Sequence, residues 1–191
     1  NPGGNVCVSA AGGCGTGPQD CFPVVIDAVP VANAGPDASI CGTQISLSAV
    51  PSVAGSNGQW VLASGPGTAS FDNASQPATN VTVSQTGLYI FQWTETNVIC
   101  VDQDSVSINF NAAPAAGLIT YDCDNTNQNF TVSFPVSGGA APYTIPGGTI
   151  SGGIFTSDLI PNSQTYSFLI TDANGCVSAA ISGAYNCNCA T

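Results

Sequence analysis

The sequence predicts an all-β chain of two tandem β-sandwich modules stapled by disulfides. Period-two alternation of Val, Ile, Thr, Tyr and Phe recurs between clusters of Gly, Pro, Asn and Asp, while apolar residues at helical spacing are almost missing. With 43 % hydrophobic residues the chain is apolar enough to fold, and its 22 Gly and 13 Pro make turns frequent. Nine cysteines stand in 191 residues that contain no histidine. That excludes Cys2His2 zinc spacing and favours disulfides, which form in oxidising compartments.

The elements follow in order. Residues 1–29 carry Cys7, Cys14 and Cys21 among Gly and Pro and read as the end of a preceding unit plus a linker. The first module, 30–112, has strand patterns at 39–41, 44–49, 59–63, 68–71, 80–84, 88–95 and 106–110, with Tyr89, Phe91 and Trp93 on one face of a single strand. Patterning lapses at Asn111 to Ala116, and a new series begins at Leu118. In the second module, 113–191, Phe130, Val132, Phe134 and Val136 alternate with Thr131, Ser133 and Pro135, and Tyr166, Phe168 and Ile170 alternate with Ser167, Leu169 and Thr171. A turn at Asp172-Ala-Asn-Gly leads to Val177, Ala179 and Ile181, predicting a hairpin.

Charge narrows the function classes. Ten Asp and one Glu face no Lys, Arg or His, a net charge of −11. Such a chain is repelled by nucleic acid and by anionic lipid. It also lacks the usual general base, the Schiff-base amine, the phosphate clamp and the imidazole ligand. No apolar run approaches a membrane span, and the N-terminus has no signal-peptide pattern, so the chain reads as a soluble piece of a longer precursor.

Cys41 lies ahead of the first strand pair of module one and Cys100 just after its aromatic strand, while Cys123 and Cys176 hold comparable places in module two. One staple per module, Cys41 to Cys100 and Cys123 to Cys176, is the economical pairing. Cys7, Cys14, Cys21, Cys187 and Cys189 lie near the two ends and read as ties between neighbouring units, with at least one thiol left over because nine is odd.

Val31-Ala-Asn-Ala-Gly-Pro-Asp37, Cys41, Trp60, Ser64-Gly-Pro-Gly67, the strand pattern 88–96 and Cys100 resemble the PKD-like repeats of Bacteroidetes surface proteins, a divergent branch without the Trp-Asp-Phe-Gly-Asp-Gly signature. Cys123, Ser137-Gly-Gly, Pro142-Tyr143 and Thr171-Asp-Ala-Asn-Gly-Cys176 resemble the SprB-type repeats of gliding-motility adhesins. The resemblance implies immunoglobulin-like or PKD-like sandwiches, a Cys123 to Cys176 bond, and membership of a large, type IX secreted, repetitive adhesin or filament at the cell surface. It brings no catalytic residues. It also implies O-glycosylation at Ser105, within Asp104-Ser-Val.

Candidate chemistry is sparse. Asp122 and Asp124 flank Cys123, and a Cys123 to Cys176 bond would bring Asp172 and Asn174 near them, an oxygen set suited to calcium. The competing reading has Asp172 and Asn174 shaping a turn and the other carboxylates solvated. Asp102 and Asp104 repeat the spacing after Cys100 without a third ligand. Glu95 stands alone within the aromatic strand, which offers no paired carboxylates for glycoside hydrolysis. Asn73, Asn80 and Asn129 begin glycosylation sequons.

Three functions follow. The leading one is a structural and adhesive repeat segment without enzymatic activity or required cofactor, whose partners are neighbouring repeats and a surface polysaccharide or substratum. The second is a carbohydrate-binding module, which requires an exposed platform of Trp60, Trp93 and Tyr89. The third, an extracellular hydrolase, is remote.

Overall fold

The computed structural model describes residues 3–13, 15–24 and 26–189. Among them are nineteen β-strands, one short 3-10 turn at Cys187–Cys189 and no α-helix. The chain divides into two compact units. Unit 1 comprises Asn1–Asp37, Ile45–Thr82 and Tyr89–Ser107; unit 2 comprises Ala38–Gln44, Val83–Leu88 and Ile108–Thr191.

The core of unit 1 grows from the alternation that the sequence displays. In strand Gly87–Asn97 the side chains of Tyr89, Phe91, Trp93 and Glu95 all point inward, because alternate residues of an extended chain share a face. This strand lies between Asn57–Ser64 and Cys100–Asn111 and pairs with both. Gln44–Ser48, Ala78–Val83 and Ala69–Phe71 form a second, three-stranded sheet. Its inward residues Leu47, Val81 and Val83 are also buried. Trp60 and Trp93 face each other across the Asn57–Ser64 pairing with ring centres 5.2 Å apart. Trp60 Nε1 donates to the Pro77 carbonyl at 3.1 Å, whereas Trp93 Nε1 has no partner among the described residues.

Unit 2 is centred on strand Asn129–Ser137, where Phe130, Val132 and Phe134 are buried. Ala115–Ala116, Thr120–Cys123, Ile154–Ser157 and Ile160–Pro161 all pair with it, and Gly148–Ser151 extends the sheet beyond Ile154–Ser157. Thr165–Phe168 and Ile181–Ala184 form a separate antiparallel pair that closes Tyr166, Phe168 and Ile170 over the core. The hairpin expected after Asp172-Ala-Asn-Gly forms only in part. Thr171 bridges Val177, but the ladder stops there until Ile181. The cause is local: Ile170 N–H donates to Ser178 Oγ at 3.0 Å, so a side chain takes the place of a ladder carbonyl.

Close packing in unit 1 requires two glycines. A Cβ at Gly58 would overlap the Trp93 ring, and one at Gly65 would overlap Tyr89, both rings being fully buried. Gly58→Ala should therefore lower stability by about 1–3 kcal/mol, the usual cost of overpacking. Gly12→Ala, where the added methyl meets nothing within 4 Å, should stay within about 0.5 kcal/mol of the parent. Denaturant unfolding of the two variants measures the contrast.

Candidate functional site

With no cation in the sequence, the geometry of interest is where the carboxylates and cysteines come to rest. Glu95 is 0 % exposed, since its strand position sends the side chain into unit 1. The segment Ser52–Ser56 folds over it. The Ser52 and Val53 amides donate to its oxygens at 3.0 Å, and the Ser56 hydroxyl donates at 2.7 Å. Burial is the largest single influence and pushes the carboxyl up. The hydroxyl of Ser56 and the amides and hydroxyl of Ser52 and Val53 together outweigh it and hold the group below its ordinary range.

Asp102 and Asp104 alternate on strand Cys100–Asn111, and no third His, Cys, Asp or Glu joins them as a candidate ligand among the described residues. Their carboxylates accept the Ala32 and Ala34 amides, each at 2.8 Å. Asp37 accepts the Ser107 amide at 2.8 Å, and Asn97 Nδ2 donates to the Ala28 carbonyl at 2.7 Å. Side chains thus fasten the segment 28–37 where a backbone ladder is lacking.

In unit 2 the calcium set does not assemble. Asp122 is exposed on strand Thr120–Cys123. Asp124 Oδ1 accepts the Thr126 and Gln128 amides at 3.0 Å and Oδ2 accepts Asn129 Nδ2 at 2.8 Å, an arrangement that, led by Asn129, lowers its pKa to about 2. Asp172 is buried and gathers the Asn174, Cys176 and Ala140 amides at 2.8–2.9 Å. Burial again pushes this carboxyl up most, yet the three amides bring it below its ordinary value. Asp172 and Asn174 shape the turn, and Asn174 Nδ2 donates to Asn111 Oδ1 at 3.1 Å. Among the described residues no group of three or more His, Cys, Asp or Glu is placed to hold a metal.

The disulfides correct the expected pairing. Cys41 bonds Cys176 rather than Cys100, Cys123 bonds Cys187 rather than Cys176, and Cys7 bonds Cys21. Strand Ala38–Cys41 runs parallel to Ile108–Asn111, which sets Cys41 opposite Asn111. Cys100 begins that same strand, eleven residues earlier and roughly 36 Å away along it. Disulfide geometry requires Cα atoms within about 7 Å. Asn174, bonded to Asn111, brings Cys176 to the correct end. Cys187 reaches Cys123 because Asn162 Oδ1 accepts its amide at 2.9 Å. Cys100 is an unbonded thiol. Cys14 and the side chain of Cys189 lie outside the described residues.

Trp60, Trp93 and Tyr89 are 1 %, 1 % and 0 % exposed, so they make core and not the platform a carbohydrate-binding module needs. An open cleft beside Trp93 is lined by Asn57, Gln59, Ser75, Gln76, Thr94 and Thr96, all neutral side chains that offer no acid or base. Ser105, Asn73 and Asn80 are exposed, while Asn129 is half-buried and engaged with Asp124.

No protein-family model and no curated protein sequence matches the chain. Among solved structures it is similar to the N-terminal eight Ig domains of Down Syndrome Cell Adhesion Molecule isoform 1.30.30, with a TM-score of 0.59 and 11 % identity over 97 % of this chain. The chain spans 31 % of the length of that structure. Two weaker likenesses are to the titin I-band fragment I67-I69 (TM-score 0.44, 10 % identity, 85 % of this chain and 66 % of that one) and to extracellular domains 3-5 of Drosophila OTK (0.39, 12 %, 87 % and 63 %). The fold is therefore immunoglobulin-like, all-β and disulfide-bonded, as the alternation and the cysteine count predict.

The lowered carboxyls fix the sign of the pH response. Glu95, Asp124 and Asp172 bind protons more weakly folded than unfolded, so their contribution is complete above the ordinary carboxyl range near pH 4 and is lost as pH falls toward about 2. The melting temperature should be flat from pH 7 to 5 and fall below about pH 4. Glu95→Gln, which replaces a buried acceptor oxygen with a donor, should cost about 2–3 kcal/mol at pH 7 and blunt that fall. Thermal melts across pH of parent and variant measure both.

Proposed function

We propose that the chain is a structural and adhesive repeat segment of a large secreted adhesin or filament, exposed at the cell surface and acting without catalysis or cofactor. The resemblance of its two halves to PKD-like and SprB-type repeats supports a Bacteroidetes protein exported by type IX secretion and used in gliding motility. Its partners on this reading are neighbouring repeats and a surface polysaccharide or substratum. One solved structure that shares its fold, over 97 % of this chain, is by name a cell adhesion molecule.

One observation carries the reading. The Cys41–Cys176 bond joins residues 135 apart, so tension along the backbone passes from residue 41 to residue 176 through a single covalent bridge. The residues between them, most of the chain, stay out of the load path. Such a bond also constrains the unfolded chain, contributing about 5 kcal/mol on the loop-entropy account. The absence of Lys and Arg leaves trypsin-like proteases no site to cut. Durability under force and proteolysis is what an exposed adhesive repeat requires.

Beads coated with the chain and held under flow test the reading. They should stay attached to polysaccharide-coated glass after proteinase K treatment, whereas beads carrying the reduced and alkylated chain should detach within the same exposure. Attachment no better than that of bare beads, or equal loss in both states, would overturn it.

A further inference from the structure

Asn5-Val6-Cys7-Val8-Ser9-Ala10-Ala11 repeats Asn174-Gly175-Cys176-Val177-Ser178-Ala179-Ala180 with one difference, Val6 for Gly175. The later segment has a defined task in unit 2. Cys176 is buried and bonded to Cys41. Ser178 clasps Ile170, its amide donating to the Ile170 carbonyl at 2.9 Å while its Oγ accepts the Ile170 amide at 3.0 Å. Val177 bridges Thr171.

The earlier segment has the same Asn, Cys and Ser at the same spacing in different surroundings. Gly4–Val8 pairs with Asp20–Val24 in an isolated two-stranded sheet. Val6, Val8 and Phe22 are each more than half exposed, and Ser9 is exposed. Two-stranded sheets of this kind are marginal alone, and a free strand edge is a template for another strand. The single difference is informative. Gly175 has φ +79° in the turn that folds the later segment back onto Thr171, a conformation that strains valine. Val6 lies instead in extended strand. A segment with valine here reaches an Ile170–Thr171 strand from another chain, not around a turn.

We infer that Asn5–Ala11 is a strand-exchange element that seats on unit 2 of a second copy of this chain in the place of Asn174–Ala180, with Cys7 bonding the Cys41 of that copy. The Cys and Ser that make the bridge and the clasp stand at the same spacing in both segments, so the incoming segment can replace those two contacts like for like. Donor and acceptor are different surfaces, so the contact is heterologous and runs head to tail from one copy to the next. The covalent step is thiol–disulfide exchange. A glutathione thiolate attacks the exposed Cys21 Sγ and releases the Cys7 thiolate. Cys7 then attacks the exposed Cys41 Sγ of the second chain, forming Cys7–Cys41 and breaking Cys41–Cys176, with Cys176 leaving as thiolate and Cys21 left glutathionylated. No oxidant is consumed.

The test uses the full chain, mixed from isotopically labelled and unlabelled copies, concentrated in glutathione redox buffer, acid-quenched and mapped as non-reduced peptides. The main bond joining labelled to unlabelled chains should be Cys7 to Cys41. Cys176→Ser, which leaves Cys41 without its internal partner, should raise the yield several-fold. Ser9→Val changes an exposed residue and leaves Cys7 in place but removes the clasp, and should lower the yield at least tenfold. If Cys176→Ser does not fold, the parent and Ser9→Val decide between them. Bonds between chains through Cys100 in place of Cys7, a Cys7–Cys41 yield indifferent to Ser9, or no bond between chains at all would each overturn the inference.

Discussion

The Cys41–Cys176 disulfide is the constraint on which the rest of the molecule depends. It exists because a parallel strand, Ala38–Cys41 beside Ile108–Asn111, delivers Cys41 to the place where Asn174 anchors the turn that bears Cys176. Asp172 completes the arrangement by gathering three amides of that turn and its neighbour. A single bond thus depends on a strand register, an amide pair and a buried carboxylate. Covalent closure of 135 residues in turn relieves the sheets of having to resist extension themselves.

A second constraint runs through both units. Eleven carboxylates share a chain with no Lys, Arg or His, so a carboxylate taken out of water has only N–H and O–H donors to meet it. The two buried ones, Glu95 and Asp172, meet several each, and the half-buried Asp102 and Asp104 meet one amide each. Glu95 holds down Ser52–Ser56, and Asp102 and Asp104 fasten 28–37. Asp124 closes its own turn. In most proteins ion pairs or a backbone ladder would share this work; here carboxylate-to-amide bonds replace them, which is why the fold tolerates a net charge of −11 without a cation.

Local features were legible in the sequence because their cause is local. The stripe of Tyr89, Phe91 and Trp93 and the alternation of Phe130, Val132 and Phe134 are properties of extended backbone, and both mark buried strand faces. The Asp172-Ala-Asn-Gly turn was legible for the same reason. Disulfide partners were not, since Cys41 and Cys100 look adjacent to one sandwich end until the parallel register of Ala38–Cys41 separates them. The roles of Glu95, Asp102 and Asp104 were hidden because their donors lie about 40 to 70 residues away along the chain. The expected convergence of Asp172 and Asn174 on Asp122 and Asp124 rested on a Cys123 to Cys176 bond, and Cys176 bonds Cys41 instead, a partner far away in sequence.

Pulling single molecules of the full chain from its two ends measures the load path directly. Cys41 is exposed, so a reductant can reach the bridge. With the bonds intact the extended chain should exclude residues 41 to 176. Adding reductant under force should then release about 45–49 nm of contour length in all from the 135-residue loop, at about 3.3–3.6 Å per residue, in two comparable steps where the overlapping Cys123–Cys187 bond is reduced second, besides about 5 nm from the 14-residue loop of Cys7–Cys21. A chain that reaches its full contour length while still oxidised, or that gains no more than the smaller step on reduction, would contradict the account.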